Sequence, residues 1–200
     1  MICKKNRVCP VEKAGRLDNR FRRWLQNPWK ILSPYIKEGM TVLDLGCGPG
    51  FFTIDIAQMV GRTGRVIASD LQEGMLEKTK SKIRGTEFEE RITLHQCQKD
   101  RIGVSAKVDF ILAFYRVHEI PDQETFFNEI ETIVKQNGQV LVVEPTFHVS
   151  KNAFEETIRT AKKSGPTPVE RPKVFFSKAM ILKKADEQRN HTRQNNALRR

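Results

Sequence analysis

Val42-Leu43-Asp44-Leu45-Gly46-Cys47-Gly48-Pro49-Gly50-Phe51-Phe52-Thr53 is the stretch on which the reading of this chain turns. An apolar, strand-like run ends at Gly46, and glycines at alternate positions carry it straight into a helix. Glycine lets the backbone take positive φ and pass close to a ligand, while the helix N-terminus presents unpaired N–H groups. A dinucleotide fold wants G-x-G-x-x-G at this place; here the spacing is G-x-G-x-G, and Phe51 stands where the third glycine would be. A P-loop is excluded, because no Gly-Lys-Ser/Thr follows.

Working outward, apolar runs alternate with amphipathic segments, the pattern of a parallel sheet covered by helices on both faces. The first strand is Thr41–Leu45, the second Arg65–Asp70 after Gly61 and Gly64, the third Ile92–His95, the fourth Val108–Phe114 and the fifth Gln139–Glu144. Their nearly unbroken apolar character suits burial on both faces. Met75, Leu76, Thr79 and Ile83 fall on one side of a helix that Gly85 follows. Phe126, Phe127, Ile130, Ile133 and Val134 line another, capped by Asp122 and ended by Asn137-Gly138. Phe154, Ile158 and Ala161 mark a third, after Ser150 and before Gly165-Pro166. Residues 168–171 and 174–182 read as two closing strands in an antiparallel hairpin at the sheet edge. Upstream, Phe21, Trp24 and Leu25, then Trp29 to Ile36, suggest one or two helices broken by Pro28. No internal repeat is visible.

The chain has 200 residues, with 35 Lys+Arg against 24 Asp+Glu, for a formal charge of +11. That excess is confined to the ends: residues 1–30 carry nine basic and two acidic side chains, net +7, residues 183–200 carry six and two, net +4, and 31–182 balances at zero. A basic protein invites a nucleic-acid reading, but any polyanion contact here would fall to the ends. No run of about 18 apolar residues suggests a membrane span, and no apolar segment follows the basic N-terminus, so the expected compartment is the cytoplasm. Cys3, Cys9, Cys47 and Cys97 form no CxxC pair and are expected as reduced thiols. His95 and Cys97 alone make too small a ligand set, so no metal is expected. The expected division is a basic helical lid segment at 1–36, a catalytic domain at 37–184 and a polar, disordered basic tail at 185–200.

The glycine-rich segment, with Asp70 ending the second strand, resembles motif I of the class I S-adenosylmethionine-dependent methyltransferases, and the resemblance extends over about residues 28–182. It implies an α/β, Rossmann-like doubly wound sheet of seven mostly parallel strands with an antiparallel last strand, in the order 3-2-1-4-5-7-6. It also implies S-adenosyl-L-methionine as cofactor and S-adenosyl-L-homocysteine as product. By that similarity Gly46, Cys47, Gly48 and Gly50 shape the loop at the methionine end, and Asp44 orders the loop or reaches the amino group through water. Asp70 would hold the ribose hydroxyls, Leu71 and Met75 pack near adenine, Gln98 and Lys99 meet the adenine edge, and Phe114 lines the cofactor pocket. Family members often carry Asp at the position of Gln98, a departure in this chain. Cys47 reads as a small space-filler within the turn.

In open α/β sheets ligands bind beyond the carboxyl ends of the strands, so Phe114-Tyr115-Arg116-Val117-His118-Glu119-Ile120-Pro121-Asp122 should face the transferable methyl. His118 is the candidate base, since imidazole titrates near neutrality, and Glu119 the residue that orients it or binds an amine. Tyr115 and Arg116 are candidates to flank the pocket, and Glu144-Pro145-Thr146-Phe147-His148 is a second contributor. The N-terminal segment is expected to fold over the cofactor. The Asn/Asp-Pro-Pro-Tyr/Phe loop of exocyclic-amine methylation and the Pro-Cys or Thr-Cys of cytosine C5 chemistry are both absent, which favours a small-molecule acceptor. An RNA or protein methyltransferase using the basic N-terminal segment, a non-catalytic S-adenosylmethionine-binding protein and, further off, an arsenite methyltransferase are the alternatives. The protein is expected as a monomer or homodimer.

Overall fold

The computed structural model describes residues 20–184. Two short helices lead in, α1 (Arg20–Leu25) and α2 (Pro28–Leu32). Pro28 opens α2, where its missing N–H costs nothing, and Asn27 caps that helix by accepting from the Lys30 N–H at 3.2 Å. Then follow β1 (Thr41–Leu45), α3 (Thr53–Met59), β2 (Arg65–Asp70), α4 (Glu73–Ile83), β3 (Ile92–Gln96), β4 (Val108–Phe114) and a 3-10 turn (Val117–Glu119). The chain continues through α5 (Gln123–Ile133), β5 (Val134–Pro145), α6 (Lys151–Lys163), β6 (Thr167–Glu170) and β7 (Ser177–Lys183).

The seven strands form one sheet in the order β3-β2-β1-β4-β5-β7-β6, the order expected. β3, β2, β1, β4 and β5 are parallel, β7 runs antiparallel to β5, and β6 pairs antiparallel with β7 at the edge. Pro168 is tolerated in β6 because an edge strand can spare a ladder donor. Alternate residues of the central strands enter two separate cores. Val42, Phe110, Leu112, Leu141 and Ile181 pack with Leu32, Phe52, Ile56, Leu76 and Ile83 from α2, α3 and α4. Leu43, Ile111, Val140 and Leu182 pack on the other side with Phe126, Phe127, Ile130, Phe154 and Ile158 from α5 and α6. This period of two feeding both faces is why the strand sequences are apolar throughout.

Two boundaries differ from the sequence reading. Val134 belongs to the sheet, not to the helix before it: it is buried and pairs with Val108, and the helix stops at Ile133. The spacing of Val134 fits a helix face, but a β-branched residue beside a strand partner gains more as part of the sheet. Val174, Phe175 and Phe176 form a turn ahead of β7, with Phe176 at φ +47. The tail and residues 1–19 of the lid segment lie outside the described residues. Among the described residues no helix is long and apolar enough to cross a membrane.

β1 is flanked by β2 on one side and β4 on the other, and the chain reverses its direction of travel across the sheet there. The crevice beyond the carboxyl ends of β1 and β4 is therefore the place where this architecture opens a ligand site.

Candidate active site

The turn after β1 takes positive φ at Gly46 (+76), Gly48 (+55) and Gly50 (+80). It is tied to the end of β2: the N–H groups of Gly46 and Cys47 donate to the Ser69 carbonyl at 2.8 and 3.0 Å. The Asp70 carboxylate accepts from the Gly48 N–H and the Gln72 N–H, each at 2.9 Å. From α4, Thr79 donates its hydroxyl to the Gly48 carbonyl at 3.1 Å, and the Lys82 ammonium reaches the Pro49 carbonyl. At two of these glycines a side chain would be crowded. A Cβ on Gly46 would lie 3.0 Å from Cδ of Arg116, and one on Gly50 3.0 Å from Oγ1 of Thr79.

Asp44 sits behind the turn, buried, with its carboxylate accepting the Thr53 hydroxyl at 2.7 Å. Burial pushes its carboxyl up to about 7; the Thr53 hydrogen bond pulls the other way, and Asp70 adds a further upward push. An acid whose folded pKa is raised contributes its stability fully below its ordinary pKa and loses that contribution as pH rises through the folded value. The cofactor-free protein is therefore expected to lose stability as pH climbs from about 4 to about 7. Asp44→Asn should flatten that limb in thermal melts taken across the range; an unchanged slope would refute this role for Asp44.

In front of the turn lies a cavity of about 710 Å³. Gly46, Cys47, Gly48, Asp70, Leu71, Met75 and Phe114 line it together, as do His118 and Glu119 from the loop after β4. Gln98 and Lys99, expected at the adenine edge, are not among the residues that line the cavity. The Cys97 N–H bonds to the Asp70 carbonyl at 3.1 Å, after which the chain turns, with the Gln98 N–H on the Arg101 carbonyl at 2.9 Å. The side chains of Gln98 and Lys99 are thereby exposed to solvent. Asp44 and Gly50 are not in the lining; they support the turn from behind. Phe51 and Phe52, unassigned from sequence, line the cavity as well.

The side of the cavity built by the ends of β4 and β5 has an organisation that the sequence reading missed. Glu144, at the end of β5 and only 1% exposed, spends both carboxylate oxygens on His118: one accepts the backbone N–H at 3.1 Å, the other meets Nδ1 of the ring. Glu119, expected from sequence to orient His118 or bind an amine, has its described ion pair with another residue. It pairs with Arg116 at 3.1 Å, and burial raises its carboxyl above the usual range against the pull of that guanidinium. Arg116 is no surface cation either, being 8% exposed and packed against Gly46. The His118 and His148 rings stack with centroids 6.1 Å apart. Tyr115, held at φ +60, accepts from the Gln26 amide at 2.5 Å and shares a 2.7 Å hydrogen bond with Ser177.

The helix α1 lies against the same cavity. Arg22 places its guanidinium 4.3 Å from the Phe51 ring centroid, and Leu25 and Gln26 contribute to the lining. Arg23 bonds Asp55 of α3 at 2.8 Å. His95 is absorbed by the Ile102 carbonyl at 2.7 Å.

A family model described as a methyltransferase domain matches residues 36–194. The chain is 34% identical over 121 residues to the demethylmenaquinone methyltransferase of Lactococcus lactis subsp. lactis, a match covering 58% of this chain and 48% of that protein. It is 30% identical over 156 residues to the protein of the same name from Lactobacillus johnsonii, covering 74% and 63% respectively. The chain thus spans between about half and just under two thirds of the length of these relatives. A crystal structure of a SAM-dependent methyltransferase from Aquifex aeolicus superposes with a TM-score of 0.79 at 24% identity, covering 89% of this chain and all of that one. With the strand order and the glycine turn already in place, the family match over most of its length makes this chain a member of the class I S-adenosylmethionine-dependent methyltransferases.

Proposed function

We propose that this protein transfers a methyl group from S-adenosylmethionine to a small-molecule acceptor, and that His118 takes up the proton the acceptor gives up. The observation that carries this reading is a single cavity bordered on one side by the glycine turn with Asp70 and on the other by His118 held by Glu144. The residues fit the cofactor. The cavity volume is within the roughly 300–1,000 Å³ usual for ligands of that size. Each Asp70 oxygen has lone-pair capacity beyond its one backbone donor, enough to accept from a vicinal diol. Leu71 and Met75 offer an apolar surface to a purine, and the turn and Asp44 would serve the amino-acid end.

When bound, the cofactor supplies a methyl group already electrophilic on a sulfonium. What remains for the chain is alignment and exclusion of water. Phe51, Phe52 and Phe114 wall the cavity, and α1 acts as a cover, with Arg22 over those rings and Gln26 fastened to Tyr115. Arg23→Ala, which removes the ion pair to Asp55, is expected to speed release of S-adenosylhomocysteine in stopped-flow measurements. An unchanged rate would remove α1 as a cover. With Nδ1 on Glu144, Nε2 is the ring atom through which His118 exchanges a proton with the acceptor.

The names of the bacterial relatives point to a small-molecule acceptor and support this class. The test is transfer of tritiated methyl from S-adenosylmethionine to a panel of phenols, hydroquinones, amines and thiols. Label in one of these supports the proposal; label only in added RNA or protein would replace the acceptor class.

A further inference from the structure

We propose that the mouth of the cavity docks on the surface of an anionic phospholipid bilayer. Nearly every large hydrophobic side chain that the described residues expose lies on α1 and α2 or at the mouth. Phe147 is 72% exposed, Phe176 67% and Phe175 47%, and all three line the cavity. Trp24 and Trp29 are exposed on the two leading helices.

These groups are held together. Both the N–H and the hydroxyl of Thr146 donate to the Phe176 carbonyl, at 3.1 and 3.0 Å, which fastens the Phe147 loop to the Phe175-Phe176 turn. The 2.7 Å bond from Tyr115 to Ser177 and the 2.5 Å bond from Gln26 to Tyr115 then connect that turn to the end of α1. Phe176 is kept at φ +47, in the left-handed region that side-chain-bearing residues seldom adopt. Glycine or asparagine would fill the turn with less strain; the ring kept there instead packs edge-on against Phe175, centroids 4.5 Å apart, and leaves most of its surface to solvent.

Charge selects the occupant. The two leading helices carry that charge themselves: residues 20–32 hold Arg20, Arg22, Arg23 and Lys30 and no acidic side chain, net +4, on the same helices as Trp24 and Trp29. Exposed aromatics beside a basic segment are the two signals that together hold a peripheral protein on an anionic bilayer, where either alone is weak. A duplex nucleic acid would use the cations but leave the phenylalanines without a role, and a single strand, whose bases could stack on the rings, is the competing outcome of the test.

The experiment uses the full chain and its own reporters, since Trp24 and Trp29 are the only two tryptophans. Vesicles of phosphatidylcholine with phosphatidylglycerol should co-sediment the protein and shift its tryptophan emission to the blue; pure phosphatidylcholine should do so much less. The triple variant Phe147→Ser, Phe175→Ser, Phe176→Ser should bind the anionic vesicles about tenfold or more weakly, from the lost apolar burial. Because all three rings line the cavity, the variant's fold is verified by an unchanged far-ultraviolet circular dichroism spectrum and a single cooperative melt, and the single change Phe147→Ser, on an exposed side chain, is the fallback. Equal vesicle binding by wild type and variant, no binding at all, or preference for RNA of equal charge with tryptophan emission unmoved would each overturn the proposal. Loss of cofactor binding by the wild type would instead count against the methyltransferase reading, leaving the vesicle result to stand by itself.

Discussion

His118→Ala is expected to lower kcat by about 10²–10⁴-fold, the usual contribution of a positioned proton-transfer group, while leaving S-adenosylhomocysteine affinity unchanged. The ring lines the acceptor side of the cavity, and a buried carboxylate fixes it through two hydrogen bonds. Glu144→Gln separates positioning from packing. It keeps the shape but puts an N–H donor where one of the two accepting oxygens stood, so the ring loses one of its two supports, and kcat should fall while KM for S-adenosylmethionine holds. A purely structural role for Glu144 would instead lower Tm and leave kcat of the folded protein unchanged. Wild-type kcat in His118→Ala, with an acceptor found as above, would remove proton transfer from this residue.

Gly46→Val should disable both the fold around the turn and the cofactor site. At φ +76 an L-residue costs about 1–3 kcal/mol, and a β-branched one is worse placed than most. The added Cβ would also meet Arg116 at 3.0 Å, and that side chain has little freedom to yield because it is buried and paired with Glu119. For a chain of this size each kcal/mol lowers Tm by about 2–4 °C, so differential scanning calorimetry should show a clear drop together with lost S-adenosylhomocysteine binding. An unchanged Tm would mean that the turn is less constrained than its geometry implies.

Much of this site was legible in the sequence because its parts are local. The glycine spacing, the apolar strand before it and the carboxylate ending the next strand lie within residues 42–70, and the resemblance to motif I is what implies Asp70 beside the turn, where it accepts from the Gly48 N–H. Glu144 was not legible as the partner of His118. The two are 26 residues apart, and only the β4–β5 register, with Ala113 opposite Val142 and Phe114 opposite Val143, brings the strand ends level. Glu119, adjacent in sequence, was the more obvious candidate, but the 3-10 turn gives it to Arg116. Gln98 and Lys99 illustrate the converse: family position suggests the adenine edge, whereas the chain's turn back to Arg101 after β3 takes both side chains into solvent. The exposed phenylalanines were invisible for a related reason, since Val174–Phe176 has the composition of a strand and only its backbone departs from one.

The central claim is that the glycine turn and Asp70 bind S-adenosylmethionine. Calorimetric titration of S-adenosylhomocysteine into the wild-type protein and into Asp70→Ala tests it most directly. The wild type should bind one equivalent in the micromolar range or tighter. The variant should bind about 100-fold or more weakly, because hydrogen bonds to a charged group contribute about 1.5–3 kcal/mol each and two ribose hydroxyls are at stake. No heat from the wild type at millimolar ligand, or equal affinity in the variant, would contradict it.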